Sequence, residues 1–310
     1  MGTRVLILLS PISLVPLLFA AACGTAARSP AGPSIARETG FVAVADGARI
    51  YYEAAGDGAS MLFIHGLGGN HAAWFHQIPY FARTHRAVTL SQRGFAPSTG
   101  GERPYDVALL VQDAVAVLEK AGAKDVVVVG QSMGGWTALG LAIERPDLVR
   151  GVVLSGTVAG IFDAEIERHY ATVTERAREL ADRPPSLGAH PAISRRFTER
   201  SPDEAYLYQL LTSFGAPTPS AIAEALGRAR FDDAQLRKLR TPVLFVVGED
   251  DIVFPPAIVQ RAANRIPGAR VVVIPDSGHS PYFERPHAWN EVVSAELARR
   301  EWTVTPKNGA

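Results

Sequence analysis

The chain has 310 residues, a formal net charge of zero from 31 Lys plus Arg against 31 Asp plus Glu, and 47% hydrophobic residues. This balance, with no extended basic block, argues against nucleic acid or an acidic polymer as partner, and the length suits one large α/β domain with an inserted subdomain. Cys23 is the only cysteine, so no intramolecular disulfide is possible, and the 28 glycines and 22 prolines are scattered through turn-like sites with no internal repeat.

The chain opens on an export pattern. After Arg4 the run Val5 to Phe19 is almost wholly apolar, and Ala20-Ala21-Ala22-Cys23 supplies a small-residue cleavage site, which predicts a signal peptide over residues 1–22. A cysteine directly after three small residues resembles the lipobox of bacterial lipoproteins, although Ala20 stands where leucine is more usual. That resemblance implies lipidation at Cys23 and a membrane-anchored protein of the cell envelope. Ordinary secretion, with cleavage at Ala22 or Ala27, would instead leave a soluble enzyme. An uncleaved span is weakened by Pro11, Pro16 and the borderline length. Residues 23–39, rich in Ala, Ser, Pro and Gly, read as a flexible tether.

Phe41 to Ala45 and Arg49 to Ala55 alternate as short strands around Asp46-Gly47, a hairpin signal. Met61 to Ile64 reads as a buried strand ending in His65-Gly66-Leu67-Gly68-Gly69-Asn70, whose glycines leave backbone N–H groups open to a small ligand. This is not a dinucleotide or phosphate loop, because the Gly-x-Gly-x-x-Gly spacing and a following P-loop lysine are absent. A helix over Ala72 to Arg83, a strand over Ala87 to Leu90, and an amphipathic helix from Tyr105 to Ala121, stopped by Gly122, come next. Val126 to Val129 suits a strand buried on both faces. It runs into Gly130-Gln131-Ser132-Met133-Gly134, a turn that raises one serine at the carboxyl edge of a parallel sheet, with a helix to Glu144 behind it.

After the strand Val149 to Leu154 the strand–helix rhythm breaks. Between Ala159 and Arg240 only helical pieces are legible, at Asp163 to Ala181, Pro202 to Ser213, Pro219 to Arg230 and Asp233 to Leu239. An insertion of this size would lie over the carboxyl edge of the sheet as a cap. The strands return with Pro242 to Val247, followed by Gly248-Glu249-Asp250-Asp251, and with Arg270 to Ile274, followed by Asp276-Ser277-Gly278-His279. Between them a helix is expected over Pro256 to Ile266, and a last one over Pro286 to Trp302. Ser132, then Asp250 or Asp251, then His279 thus stand at successive strand ends, in the order Ser, acid, His.

From about Phe41 to Trp302 the chain resembles a capped α/β-hydrolase. The marks are His65-Gly66, the Ser132 pentapeptide with Gly135, Gly248-Glu249-Asp250-Asp251 with Pro255, and Gly278-His279 with Phe283-Glu284-Arg285-Pro286. The resemblance implies a mostly parallel eight-stranded sheet with helices on both faces, a core over 40–158 and 241–302, a helical cap over 159–240 and a tail over 303–310. It makes Ser132 the nucleophile, His279 the general base and acid, and Asp251, four residues before Pro255, the orienting carboxylate, with Asp250 its alternate. The oxyanion hole would be the backbone N–H groups of Leu67 and Met133. His65 would be structural.

These expectations describe a cofactor-independent serine hydrolase that cleaves a carboxylic ester of a small or medium apolar molecule. Leu67, Trp74, Met133, Phe162, Phe254 and Tyr282 are the candidate lining of its pocket. Carbon–carbon, lactone or amide hydrolysis could use the same three residues. Gln131 and Ser280 stand where carbon–carbon hydrolases of this fold commonly have Asn and Trp, which lowers that option. A non-catalytic envelope binding protein on the same scaffold is the alternative of another class. His71, His76, His85, His169, His190 and His287 show no metal-ligand spacing and read as surface or cap residues.

Overall fold

The computed structural model describes residues 34–181, 186–213 and 220–302; the signal, Cys23, most of the tether and the tail lie outside them. Strand β1 (Arg37–Ala43) pairs antiparallel with β2 (Arg49–Ala55), Ala43 facing Arg49, and Gly47 takes the left-handed turn between them at φ 83°. The strand starts within the segment expected to be tether. Its first three residues are exposed and tied down by polar contacts: Arg37 pairs with Glu53, and Glu38 accepts from the Arg86 guanidinium at 2.9 Å. The exposed first residues of this edge strand carry no apolar alternation, so the sequence signals only its second half, from Phe41.

Next come β3 (Ala59–Ile64), a 3₁₀ turn (His71–Trp74), α1 (Gln77–Phe81), β4 (His85–Leu90), α2 (Val107–Lys120), β5 (Val126–Gln131), α3 (Gly134–Glu144) and β6 (Val149–Ser155). The single helix expected over 72–83 is broken in two. Pro79 has no N–H to donate to the carbonyl of Phe75, so a continuous helix would lose that bond and meet the ring. Asn70 caps the first piece, its side chain accepting from the Ala72 N–H at 2.9 Å.

Helices α4 (Ala164–Ala181), α5 (Arg195–Arg200), α6 (Pro202–Ser213), α7 (Ser220–Arg228) and α8 (Asp233–Lys238) follow without an intervening strand among the described residues. The chain then returns through β7 (Val243–Gly248), α9 (Pro256–Ala263), β8 (Arg270–Ile274), α10 (Pro281–Glu284) and α11 (Pro286–Arg299). The short helices α5 and α10 are absent from the sequence reading. Ser194 caps α5 through the Phe197 N–H at 3.1 Å, and Pro281 sits at the start of α10.

The described residues form one eight-stranded sheet in the order β1-β2-β4-β3-β5-β6-β7-β8. Only β1 with β2 and β2 with β4 run antiparallel; the other neighbours are parallel. Side chains alternate between two cores. Val126, Val128, Leu62 and Ile64 pack with α2, α3 and α9, whereas Val127, Val129, Met61 and Phe63 pack with Phe81 of α1 and Val293 and Leu297 of α11. Central strands buried on both faces require the unbroken apolar runs seen in the sequence.

The helices α4–α8 are tied to the loops that follow the strands. Asn70, beyond β3, donates to the Leu211 carbonyl at 3.0 Å, and His169 of α4 donates through Nε2 to the Val253 carbonyl, beyond β7, at 2.8 Å. The Tyr208 hydroxyl of α6 meets Ser280, beyond β8, at 2.8 Å. The helical insertion therefore covers the carboxyl edge of the sheet.

Candidate active site

At the end of β5 the chain reverses within one residue. Ser132 takes φ 47°, a left-handed conformation that costs a non-glycine residue about 1–3 kcal/mol and that the surroundings must hold. Glycines make the turn possible: a Cβ on Gly130 would strike the Gly134 carbonyl, and one on Gly134 would strike the Ile64 carbonyl of β3. The Ser132 N–H is anchored to the Ser155 carbonyl at 3.0 Å.

The loop after β8 brings His279 to this turn. Its Nε2 lies 2.9 Å from Ser132 Oγ, and its Nδ1 lies 3.1 and 3.0 Å from the two carboxylate oxygens of Asp251. A ring whose Nδ1–H points at a carboxylate leaves Nε2 free to accept the serine proton. Asp251 is buried, and its Oδ1 also accepts from the N–H groups of Val253 and Phe254, both at 2.8 Å. Three donors fix that carboxylate. Asp250 faces away, its carboxylate 3.4 Å from Arg196 of α5.

The two backbone amides expected to form an anion hole border the same serine. Met133 follows it directly, and a Cβ on Gly66, the residue before Leu67, would come 3.0 Å from Ser132 Cβ. Among the described residues neither the Leu67 nor the Met133 N–H donates to a protein acceptor. His65 holds the first of these loops. Its Nδ1–H donates to the Gly66 carbonyl at 2.7 Å and its Nε2 accepts the Gln92 N–H at 2.9 Å, while the Gln92 side chain returns a bond to the His65 carbonyl at 2.9 Å. Burial presses this imidazole down to about 4, so it stays neutral and bridges two loops.

The candidate pocket residues separate. Leu67 and Tyr282 line a narrow, partly open cleft that also includes Gln131, the residue before the serine, with Tyr208, Leu211 and Phe283 among its other walls. Phe254 packs on the His279 ring at 5.8 Å and, with Phe162, borders Trp136 and Tyr170. Phe162 is also covered by the Arg230 guanidinium at 3.7 Å. Trp74 is a core residue: it is fully buried against Phe63, Trp289 and Tyr282, and supports the cleft wall from behind. Met133, at the start of α3, is buried in the same core cluster as Trp136 and Phe254 and does not line the cleft.

Two residues of the site have no role in the sequence reading. Glu284 is buried, and its carboxylate accepts the Gly278 N–H, beside His279, and the Ser194 N–H of the insertion, both at 2.9 Å. Burial raises its pKa against the pull of these donors. The motif around it was visible, but the bond to Ser194 spans 90 residues and leaves no local trace. His190, in the insertion, is half-buried, its ring 5.0 Å from that of Tyr208; burial, then proximity to His279, presses it down to about 4. No group of three or more His, Cys, Asp or Glu among the described residues is arranged to hold a metal ion.

The sequence profile of the α/β-hydrolase fold family matches residues 59–286. The chain is 29% identical over 252 residues to a Mycobacterium tuberculosis (strain ATCC 25618 / H37Rv) protein assigned as a non-heme bromoperoxidase, covering 77% of this chain and 94% of that one. It is 30% identical over 244 residues to a pimeloyl-[acyl-carrier protein] methyl ester esterase of Neisseria meningitidis serogroup B (strain MC58), covering 73% and 88%. Among solved structures it superposes on Est816, described as an N-acyl homoserine lactone degrading enzyme, with a TM-score of 0.68 and 26% identity, over 83% of this chain and 99% of that one. With a match that runs from β3 into α11 and a sheet of this order, the chain belongs to the α/β-hydrolase fold family and is an enzyme of the hydrolase class.

Proposed function

We propose that the protein is a serine hydrolase that cleaves carboxylic esters through an acyl-enzyme. The observation that carries this reading is the relay from Ser132 Oγ through the His279 imidazole to the buried Asp251 carboxylate. Ser132 Oγ attacks the ester carbonyl carbon as its proton passes to Nε2 of His279. Asp251 stabilises the imidazolium, and the N–H groups of Leu67 and Met133 receive the oxyanion. Collapse of the tetrahedral intermediate breaks the carbon–oxygen bond to the alcohol, which leaves with the proton from His279. A water molecule, deprotonated by the same ring, then releases the carboxylic acid and restores the serine. The similarity to a methyl ester esterase and to a lactone-degrading enzyme supports an acyl–oxygen bond, open or cyclic, as the target.

The test is turnover of a chain-length series of nitrophenyl esters, extended to lactones and anilides. Esters should be hydrolysed with kcat/KM reduced on the order of 10⁴-fold in Ser132→Ala. Undiminished turnover in that variant would contradict the reading.

We also propose that the chain is exported and lipidated at Cys23, on the strength of the Val5 to Phe19 run and the three alanines before the cysteine. Among the described residues no helix is long and apolar enough to cross a membrane, and an acyl chain on Cys23 would itself supply attachment. Cys23→Ser should move the protein from the membrane fraction to the soluble fraction on cell fractionation; an unchanged membrane-bound pool would overturn this.

A further inference from the structure

His279 sits in a short loop between β8 and α10, and the insertion holds that loop on both sides of the imidazole. Before it, Arg196 of α5 donates to the Asp276 carboxylate at 3.0 Å. After it, Ser280 meets the Tyr208 hydroxyl of α6 at 2.8 Å. Between these, Gly278 is pressed against the insertion's own backbone: a Cβ there would stand 2.7 Å from the Ser194 nitrogen and 3.1 Å from Glu284 Oε1. Only glycine lets the two stretches of chain approach this closely.

Glu284, at the end of α10, joins the two stretches at this point. Its Oε1 accepts the Gly278 N–H and its Oε2 accepts the Ser194 N–H, each at 2.9 Å, so one oxygen serves the histidine loop and the other the insertion. The Ser194 hydroxyl and the Ser280 amide face the same carboxylate. Among the described residues no Lys, Arg or His pairs with it, and its ionisable neighbours Tyr208 and Tyr282 are held protonated by burial. Burial outweighs the donors and raises the Glu284 pKa, so the fold keeps this charge at a net cost. Anchoring alone does not call for it, because elsewhere the insertion is held by neutral bonds such as Asn70 to the Leu211 carbonyl. What the carboxylate supplies is two acceptors at once. A neutral amide or a protonated carboxyl places a donor at one of the two positions, against an N–H.

We propose that Glu284 is a positioning residue for the reaction: it ties the amide beside His279 to the insertion, so that the imidazole reaches Ser132 Oγ only while the insertion is docked. The inference rests on the serine-hydrolase reading above and adds the way its relay is assembled. Glu284 touches no reacting atom. It acts through the Gly278 N–H, one residue from the base, whose Nε2 stands 2.9 Å from Ser132 Oγ. A displacement of about 1 Å at such a contact costs on the order of 10²-fold in rate.

The experiment follows the time course of Ser132 phosphonylation by a fluorophosphonate, read by intact-protein mass spectrometry, in the wild type, Glu284→Gln and Ser194→Ala. The amplitude counts folded sites, and the rate constant per site reads how well His279 activates the serine. A loss of stability and a loss of positioning therefore appear in different quantities. In Glu284→Gln the rate constant should fall roughly 10- to 100-fold, and kcat for a nitrophenyl ester, per labelled site, should fall with it while KM changes little. Ser194→Ala, which removes a hydroxyl on the insertion side, should slow labelling in the same direction. A rate constant in Glu284→Gln equal to that of the wild type overturns the proposal whether or not the amplitude falls, since a purely structural carboxylate gives that result. If Glu284→Gln yields no folded protein, Ser194→Ala decides, and an unchanged rate constant there overturns the proposal. Either result leaves the hydrolase reading standing, whereas a wild type that is never labelled at Ser132 overturns that reading as well.

Discussion

Asp250 and Asp251 are adjacent and chemically identical, yet the turn after β7 sends them in opposite directions. One carboxylate is buried with two amides and the His279 ring; the other sits by Arg196 at the edge of the insertion. Asp251→Asn keeps the shape but lets the side-chain amide favour the wrong histidine tautomer, so kcat should fall on the order of 10³–10⁴-fold. Asp250→Asn should stay within about threefold of wild type, since it loses only a partly exposed ion pair. Steady-state turnover of one nitrophenyl ester by both variants checks this, and equal losses would contradict it. These residues were legible because each stands directly after an apolar strand, where sequence position fixes location. Tyr208 and Glu284 were not legible, because their partners are 72 and 90 residues away. Nothing in the local pattern of α6 marks a residue that reaches the loop after β8.

At the scale of elements, the loop after β3 is held to the loop after β4 by one neutral histidine. His65 joins Gly66 to Gln92, and Gln92 in turn accepts the Thr137 hydroxyl of α3 at 2.7 Å, so three elements are locked around the amide of Leu67. The His65 pKa falls from 6.5 to about 4 on folding. Above pH 6.5 the ring is neutral in both states and its contribution is intact. As pH falls from 6.5 towards 4, the unfolded chain takes up a proton that the native state refuses, and stability is lost by about 3 kcal/mol in total. Chemical denaturation at pH 7, 5.5 and 4 should show a smaller acid-side loss in His65→Asn than in wild type, whatever the variant's stability at pH 7. Parallel curves would refute the assignment. Element boundaries were less legible than element types. The broken helix at residues 71–81 turns on one missing N–H at Pro79, and the exposed first residues of β1, before Phe41, show no hydrophobic period.

For the whole molecule, the alternation of apolar runs with amphipathic stretches was enough to specify a parallel sheet, because strands buried on both faces are dominated by apolar residues. The insertion between β6 and β7 was legible as helical, but how it docks was not: hydrogen bonds such as Asn70 to Leu211 and His169 to Val253, and the burial of Ile166, Ile222, Leu236 and Phe197 in the two cores, join residues far apart in sequence. Arg93 shows the same limit. Its guanidinium is buried between Asp46 and Asp113 at 2.6 Å from each, joining the first hairpin to α2 through a contact no spacing predicts. The architecture places one exposed strand end, one imidazole and one buried carboxylate together beneath the insertion, and the central claim is that this makes a single serine nucleophilic. Intact-protein and peptide mass spectrometry after brief exposure to a fluorophosphonate tests it most directly. The account predicts one phosphonyl group per chain, located on Ser132 and absent from Ser132→Ala and His279→Ala. No adduct on the native protein, or equal labelling of the Ser132→Ala chain, would contradict it.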